Sequence, residues 1–255
     1  MNKEFKFNTL LNDNSLTYDE RWRPTQISTL TSLLNKGLLE DLDSNIRSNI
    51  SYNIQYLEFI DFELKELRLH SVITKMLYKN FIITSISIVE AIFYYILKSN
   101  HQVSTNNKEL LYNTSSNKKY LNDDLIIETK VYKKVEPIEI EMKFETMIQK
   151  MEKKSYLDLN HEYFPYLKHF KDLRNRVHIH ITEGNNKGTD YMMFDKADYL
   201  FSKYILLSLL IDDNILKLER DPFYNEKLVP HAYEFLVLSK EERKIIKDKY
   251  KIQKN

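Results

Sequence analysis

The chain has no cysteine, which excludes disulfide staples and thiolate metal centres together and fits a reducing compartment. Glycine is nearly absent as well, occurring only at Gly37, Gly184 and Gly188. Neither glycine nor proline falls between Leu38 and Glu136, so nothing there interrupts a regular backbone, and an all-α fold is the first expectation. Net charge is missing too: 38 Lys and Arg against 37 Asp and Glu leave +1. No overall field therefore draws the chain to a polyanion, and any nucleic acid must be met by a local basic patch. The segment Met1-Asn-Lys-Glu-Phe-Lys-Phe7 is polar and has no apolar core followed by small residues, so it does not read as a secretory signal. The expected compartment is the cytoplasm. With 255 residues, burial of a sizeable core needs no staple.

What is present is helical patterning. Ile46, Ile50, Leu57, Ile60, Leu64 and Leu67 recur at spacings of a helix stripe, with Asp43 or Ser44 placed to cap it. The next segment, Ser71 to Leu97, carries apolar groups on every side and reads as the central, buried helix. A membrane span is not expected there, because Thr84, Ser85, Ser87 and Glu90 interrupt a run short of the ~20 residues a bilayer needs. Glu90 in that setting requires a cationic partner. Asn100 to Asn122 is polar and reads as loop, and Leu125 to Tyr132 with Ile138 to Phe144 alternate as a small β-hairpin around Glu136-Pro137. Helices are expected at about Glu145 to Ser155, Pro165 to Ile181 and Asp195 to Leu218, the last packing against the central helix. A capped surface helix begins at Ser239. Trp22 is expected to anchor an N-terminal arm to the helices.

Chemistry concentrates on the helix expected from Pro165. Lys168, His169, Lys171, Arg174, Arg176, His178 and His180 stand there against one acid, Asp172. At about 100° per residue, Lys171, Arg174 and His178 share one edge of that helix, and His169, Arg176 and His180 the other. Guanidinium groups pair with phosphate bidentately and imidazole moves protons near neutrality, so the arrangement suits a phosphodiester. Two histidines without further spaced ligands do not make a metal site, and neither a metal nor an organic cofactor is expected.

Arg174, followed by Asn175 and, with five residues between Arg174 and it, by His180, resembles the motif of the HEPN domain family. The surrounding Leu173-Arg-Asn-Arg-Val-His-Ile179 is similar to that of bacterial members. Ile88-Val-Glu-Ala-Ile-Phe-Tyr-Tyr95 resembles their early helix, and Thr189-Asp-Tyr191 leading into 199–210 the helix after the motif. The resemblance implies a helical bundle over about 43–220, with an insertion at about 100–144, an arm at 1–42 and a tail at 221–255. It further implies a homodimer in which two copies of the motif line one cleft and cut RNA without a metal. A ribose 2′-hydroxyl would attack the adjacent phosphate, with His180 as acid or base, Arg174 countering phosphorane charge and Asn175 orienting groups. Lys168, Lys171 and Arg176 would contact the RNA.

Two alternatives stay open. On an unbroken helix His178 lies about 40° from Arg174 and His180 about 240° away, so geometry within one protomer favours His178 while the family pattern favours His180. The arginines could also serve as salt-bridge partners, Glu90 being the acid to expect. The rival to a nuclease is a HEPN-like module that binds RNA, a nucleotide or a protein without cleaving. An antitoxin or defence-system partner is implied by the resemblance alone, and Thr182, where members paired with a nucleotidyltransferase carry Tyr, speaks against that pairing.

Overall fold

The computed structural model describes residues 22–120, 123–159, 161–175, 190–216 and 228–250. The described chain is mostly helical, with one two-stranded antiparallel sheet. The helices are α1 (Ile27–Leu33), α2 (Ser44–Glu66), α3 (Ser71–Ser99), α4 (Phe144–Lys154), α5 (Phe164–Asn175), α6 (Lys196–Leu210), α7 (Asp213–Leu216) and α8 (Lys240–Tyr250), and the strands are β1 (Thr105–Tyr120) and β2 (Asp123–Glu139).

The helix starts follow from local chemistry. Asp43 caps α2, its Oδ1 accepting from the N–H groups of Asn45 at 2.9 Å and Ile46 at 3.2 Å. Asp195 caps α6, and Ser239 with Glu242 forms a reciprocal capping box before α8. Apolar spacing then decides the faces. On α2 the buried apolar residues are Ile50, Ile54, Leu57 and Ile60, whereas Ile46, expected in the stripe, is exposed.

Helix α3 is 29 residues long, longer than the apolar run suggested, and by length and composition it could cross a bilayer. Phe81, Ile82, Ile86, Val89, Ile92 and Phe93 are buried in the core that it forms with α2, α4, α5 and α6. Its most extensive neighbour is α6, as expected.

Helix α6 stops earlier than its sequence implies. Asp212 accepts from the backbone N–H of Asn214 at 3.0 Å through Oδ1 and from that of Asp158 at 2.7 Å through Oδ2. A carboxylate that bonds local backbone this way favours a helix start over a helix interior, so the chain ends one helix and begins the short α7.

The strands differ most from expectation. Residues 105–120, read as loop, form β1, and their partner is β2, which contains Glu136-Pro137 instead of ending before it. Residues 140–143 are not strand. The ribbon is exposed on both faces, so no buried face imposes the period-two apolar pattern by which strands are read. Pro137 lies beside a register shift between Asn106 and Lys108, a position where its missing N–H removes no ladder bond.

The described residues before α2 join the same core. Leu30, Leu34 and Leu39 are fully buried, and Trp22 packs on Phe59 and Phe62 at ring distances of 5.4 and 5.2 Å. Gly37 has φ +53°, and a Cβ there would fall inside contact distance of the carbonyl oxygens of Asn214 and Ile215. Only glycine permits that approach.

One ionic cluster is sealed between α2 and α6. Asp61 Oδ1 accepts from Lys203 Nζ and from the Tyr199 hydroxyl, both at 2.5 Å, while Lys65 Nζ lies 2.8 Å from Oδ2. The Lys203 side chain is 0% exposed and that of Asp61 3%. Burial pushes the Lys203 pKa below its ordinary value and the Tyr199 phenol above its own. Removing the acid strands a buried ammonium, so Asp61→Ala should cost about 3–5 kcal/mol. Lys203→Met should cost less, because Asp61 keeps Lys65 and Tyr199 as partners. Urea midpoints for the two variants check this, and equal losses would contradict it.

Candidate functional site

Helix α5 places the site. Phe164, Leu167, Phe170 and Leu173 recur every third residue and are buried, fixing the rotation of the helix about its axis. That rotation turns Lys171 and Arg174 toward α3 and α4, and His169 toward α6 and α8. The two edges expected from helical spacing therefore face different neighbours.

Arg174, in the last described turn of α5, donates from Nη1 to Glu90 Oε2 on α3, and the two form an ion pair. Their side chains are 28% and 23% exposed, so the pair is neither sealed nor free in water. The guanidinium carbon also lies 5.9 Å from the centre of the Phe144 ring, a cation–π distance that adds a second support. Desolvation raises the Glu90 pKa above the ordinary 4.5, outweighing the lowering by Arg174, and nearby Glu141 raises it further. A raised carboxyl favours folding when protonated. Its contribution is present below pH 4.5 and is lost as pH rises through the raised value.

The pair stands at an open cleft of about 540 Å³. Ser87, Glu90, Ala91 and Tyr94 give one wall from a single face of α3, and residues 139–142, joining β2 to α4, give another. Lys98 Nζ lies 2.7 Å from Glu139 Oε2, and the Tyr94 hydroxyl donates to the same oxygen at 3.2 Å. Among the described residues, the lining thus holds three carboxylates, Glu90, Glu139 and Glu141, with Arg174 as its cation. The contributions of Glu139, Glu141 and Tyr94 were not anticipated. The only signal was the helical spacing that sets Ser87, Tyr94 and Lys98 on the same α3 face as Glu90; Glu139 and Glu141 were masked by their reading as hairpin positions.

The other candidates are placed as follows. Asn175 is exposed and ends α5. Lys171, expected to meet RNA, bonds Glu145 at 3.0 Å and Asp172 at 3.3 Å, and the Glu145 bond raises its pKa. Lys168 is half-buried and lies in the field that lowers the Glu145 pKa. Lys171 is therefore paired with carboxylates of α4 and of its own helix. Arg176, His178 and His180 lie outside the described residues.

On the other edge, His169 Nε2 approaches Asp198 Oδ1 to 3.4 Å. Asp198 is also bound by Lys249 Nζ at 2.7 Å and by the Tyr250 hydroxyl, and so ties α5 and α8 to α6. Burial alone would raise this carboxyl, but bonds from His169, Lys249 and Tyr250 outweigh it and bring the pKa down to about 2.

Comparison of the chain with protein-family models, with curated proteins and with solved structures finds no match. The functional reading therefore rests on the residues and their geometry.

The Asp198 carboxylate sets a pH dependence. Its folded pKa of about 2 lies below the ordinary 3.8, so the stabilisation is complete above pH 3.8 and disappears as pH falls through about 2. Asp198→Asn should unfold more easily than the parent by about 2 kcal/mol at pH 6. The difference should shrink steadily on acidification to pH 2.5. Denaturant titrations across that range provide the check, and a gap that stays constant would rule out the assignment to Asp198.

Proposed function

We propose that the chain is a metal-independent endoribonuclease of HEPN type, acting as a homodimer. The observation carrying this reading is the posture of Arg174, anchored by Glu90 and Phe144 at a cleft rim immediately before the segment that contains His178 and His180. An arginine held on one side by a carboxylate keeps a fixed plane, and a fixed guanidinium can stabilise charge that develops on a phosphorane without reorganising. Glu90 then acts as a positioning residue, Arg174 as the charge-stabilising group, and Asn175 as an exposed hydrogen-bonding group one residue later. Proton transfer falls to His180 by the family pattern or to His178 by helix geometry, and the products would carry 2′,3′-cyclic phosphate ends. Arg176 would add positive charge next to these imidazoles. The RNA substrate, the second copy and any antitoxin or defence-system partner are part of the same proposal, as is a cytoplasmic location.

A second reading is favoured by the three carboxylates of the described lining. Arg174 pairs with Glu90 and Lys98 with Glu139, so Glu141 tips the described lining toward a cationic group and away from phosphate, as a HEPN-like module that docks a basic protein segment without cleaving RNA would require.

The test is cleavage of structured RNA by the purified chain in EDTA. Under the nuclease reading, Arg174→Ala lowers the rate on the order of 10²–10³-fold. Loss of the acting histidine, tested as His178→Ala and His180→Ala, lowers it ~10²–10⁴-fold. Glu90→Gln should lower kcat with little change in KM, since it loosens Arg174 without touching RNA. Absence of cleavage by the parent protein, or cleavage indifferent to Arg174 and to both histidines, would refute the nuclease reading and favour the binding module.

A further inference from the structure

The ribbon of β1 and β2 is tied to the helices near its root, where Glu139 meets Lys98 and Tyr94 and the Ile140 N–H bonds the Ser104 carbonyl. Beyond that root it carries Leu110, Leu111, Tyr112, Ile126, Ile127, Val131 and Tyr132, every one exposed, Ile126 at 70%. A two-stranded ribbon is marginal in water on its own, and each strand presents an open row of backbone donors and acceptors. Such a surface calls for a further strand. The two edges are not equivalent: at the register shift between Leu110 and Tyr112 the extra residue, Leu111, is on β1, whereas β2 runs from 123 to 134 with no residue left out of the pairing.

The charge pattern of β2 identifies its partner. The ribbon holds six lysines and six acids over 105–139, so it has no net field to recruit a polyanion. Two antiparallel copies of β2 related by a two-fold axis must pair residues symmetrically about one central position. A centre at Thr129 sets Glu128 opposite Lys130, Ile127 opposite Val131 and Ile126 opposite Tyr132, each pair occurring twice, and carries position Asp124 to Lys134. Other centres conflict. Glu128 or Lys130 at the axis faces its own copy; Tyr132 opposes Lys130 with Lys134 and Glu128 with Glu136; Val131 opposes Ile126 with Glu136 and reaches Pro137, which has no N–H to give. We infer that β2 pairs with β2 of a second copy of this chain about a two-fold axis at Thr129, forming a four-stranded antiparallel sheet.

The pairing covers apolar groups on both faces of the ribbon, since Ile126 and Tyr132 share one face and Ile127 and Val131 the other. Glu128 and Lys130, which pair within one strand at 2.8 Å, become a quartet of alternating charge. This pairing uses β2 and not the α5 cleft: failure to cleave RNA leaves it standing, and a dimer that survives the charge reversals below without a cross-link at Thr129 forms through another face, which overturns the β2 pairing and leaves the nuclease reading to the cleavage assay.

The experiment is sedimentation of the full chain at micromolar concentration together with disulfide trapping, which the absence of cysteine makes clean. The parent should sediment as a dimer. Glu128→Lys and Lys130→Glu each turn the quartet into four like charges and should weaken the dimer on the order of tenfold or more. The exchanged double variant Glu128→Lys with Lys130→Glu should restore it. Thr129→Cys brings two thiols together at the axis, at a Cα separation of ~4.5–5.5 Å that a disulfide spans. Mild oxidation should therefore cross-link it, and should leave Thr114→Cys, on the same face of β1, uncross-linked. Circular dichroism confirms that the helices are intact in every variant. A monomeric parent, or a dimer indifferent to the charge reversals with no cross-link at Thr129, overturns the inference.

Discussion

A 29-residue helix that is apolar around most of its circumference has to be covered, and the rest of this fold is arranged to do so. Helices α2, α4, α5 and α6 all pack on α3, and the buried rows of each helix face a shared core. The constraint reaches the candidate site directly. Glu90 is the acidic exception in the middle of that helix, and burial makes its charge costly, so the helix beside it has to bring a cation. Arg174 occupies that position. Its place at the cleft is therefore set by the core before any substrate is considered.

The same logic recurs twice away from the cleft. Asp61 with Lys203 sits between α2 and α6, and Asp198 with Lys249, Tyr250 and His169 joins α6 to α8 and α5. Each acid sits at a junction of elements distant in sequence and is satisfied by more than one donor. Apolar packing would tolerate sliding of one helix along another, whereas a buried carboxylate tolerates only the register that returns its donors. These clusters fix the height of one helix against another, and α5, whose rotation its buried row sets, is held on both edges, through Glu90 on one and Asp198 on the other.

Much of the helical fold was legible because burial writes a period into the sequence. The α2 stripe, the all-round apolar α3 and the capping box at Ser239 are direct consequences of faces that must be dry or ends that must be capped. The demand of Glu90 for a cation was legible for the same reason. Strand β1 was not, since a ribbon wet on both faces has no apolar alternation to show, and Thr105 to Tyr120 resembles a polar loop. The stop at Asp212 was hidden because its carboxylate answers a backbone N–H from Asp158, a contact no local pattern encodes. Nor could spacing along α5 reveal that Lys171 turns back to Glu145, an acid from another helix.

Charge arithmetic at the cleft constrains how any phosphate chemistry there would have to operate. Arg174 and Glu90 cancel, and Lys98 offsets Glu139, which leaves Glu141 as the uncompensated member of the described lining. A phosphodiester brought to this site therefore cannot be attracted by the described wall as it stands. Its attraction would have to come from the residues that follow Asn175 in sequence, Arg176 and the imidazoles of His178 and His180. Substrate affinity and proton transfer would then depend on the same two groups, and the Arg174–Glu90 pair would supply orientation rather than net charge.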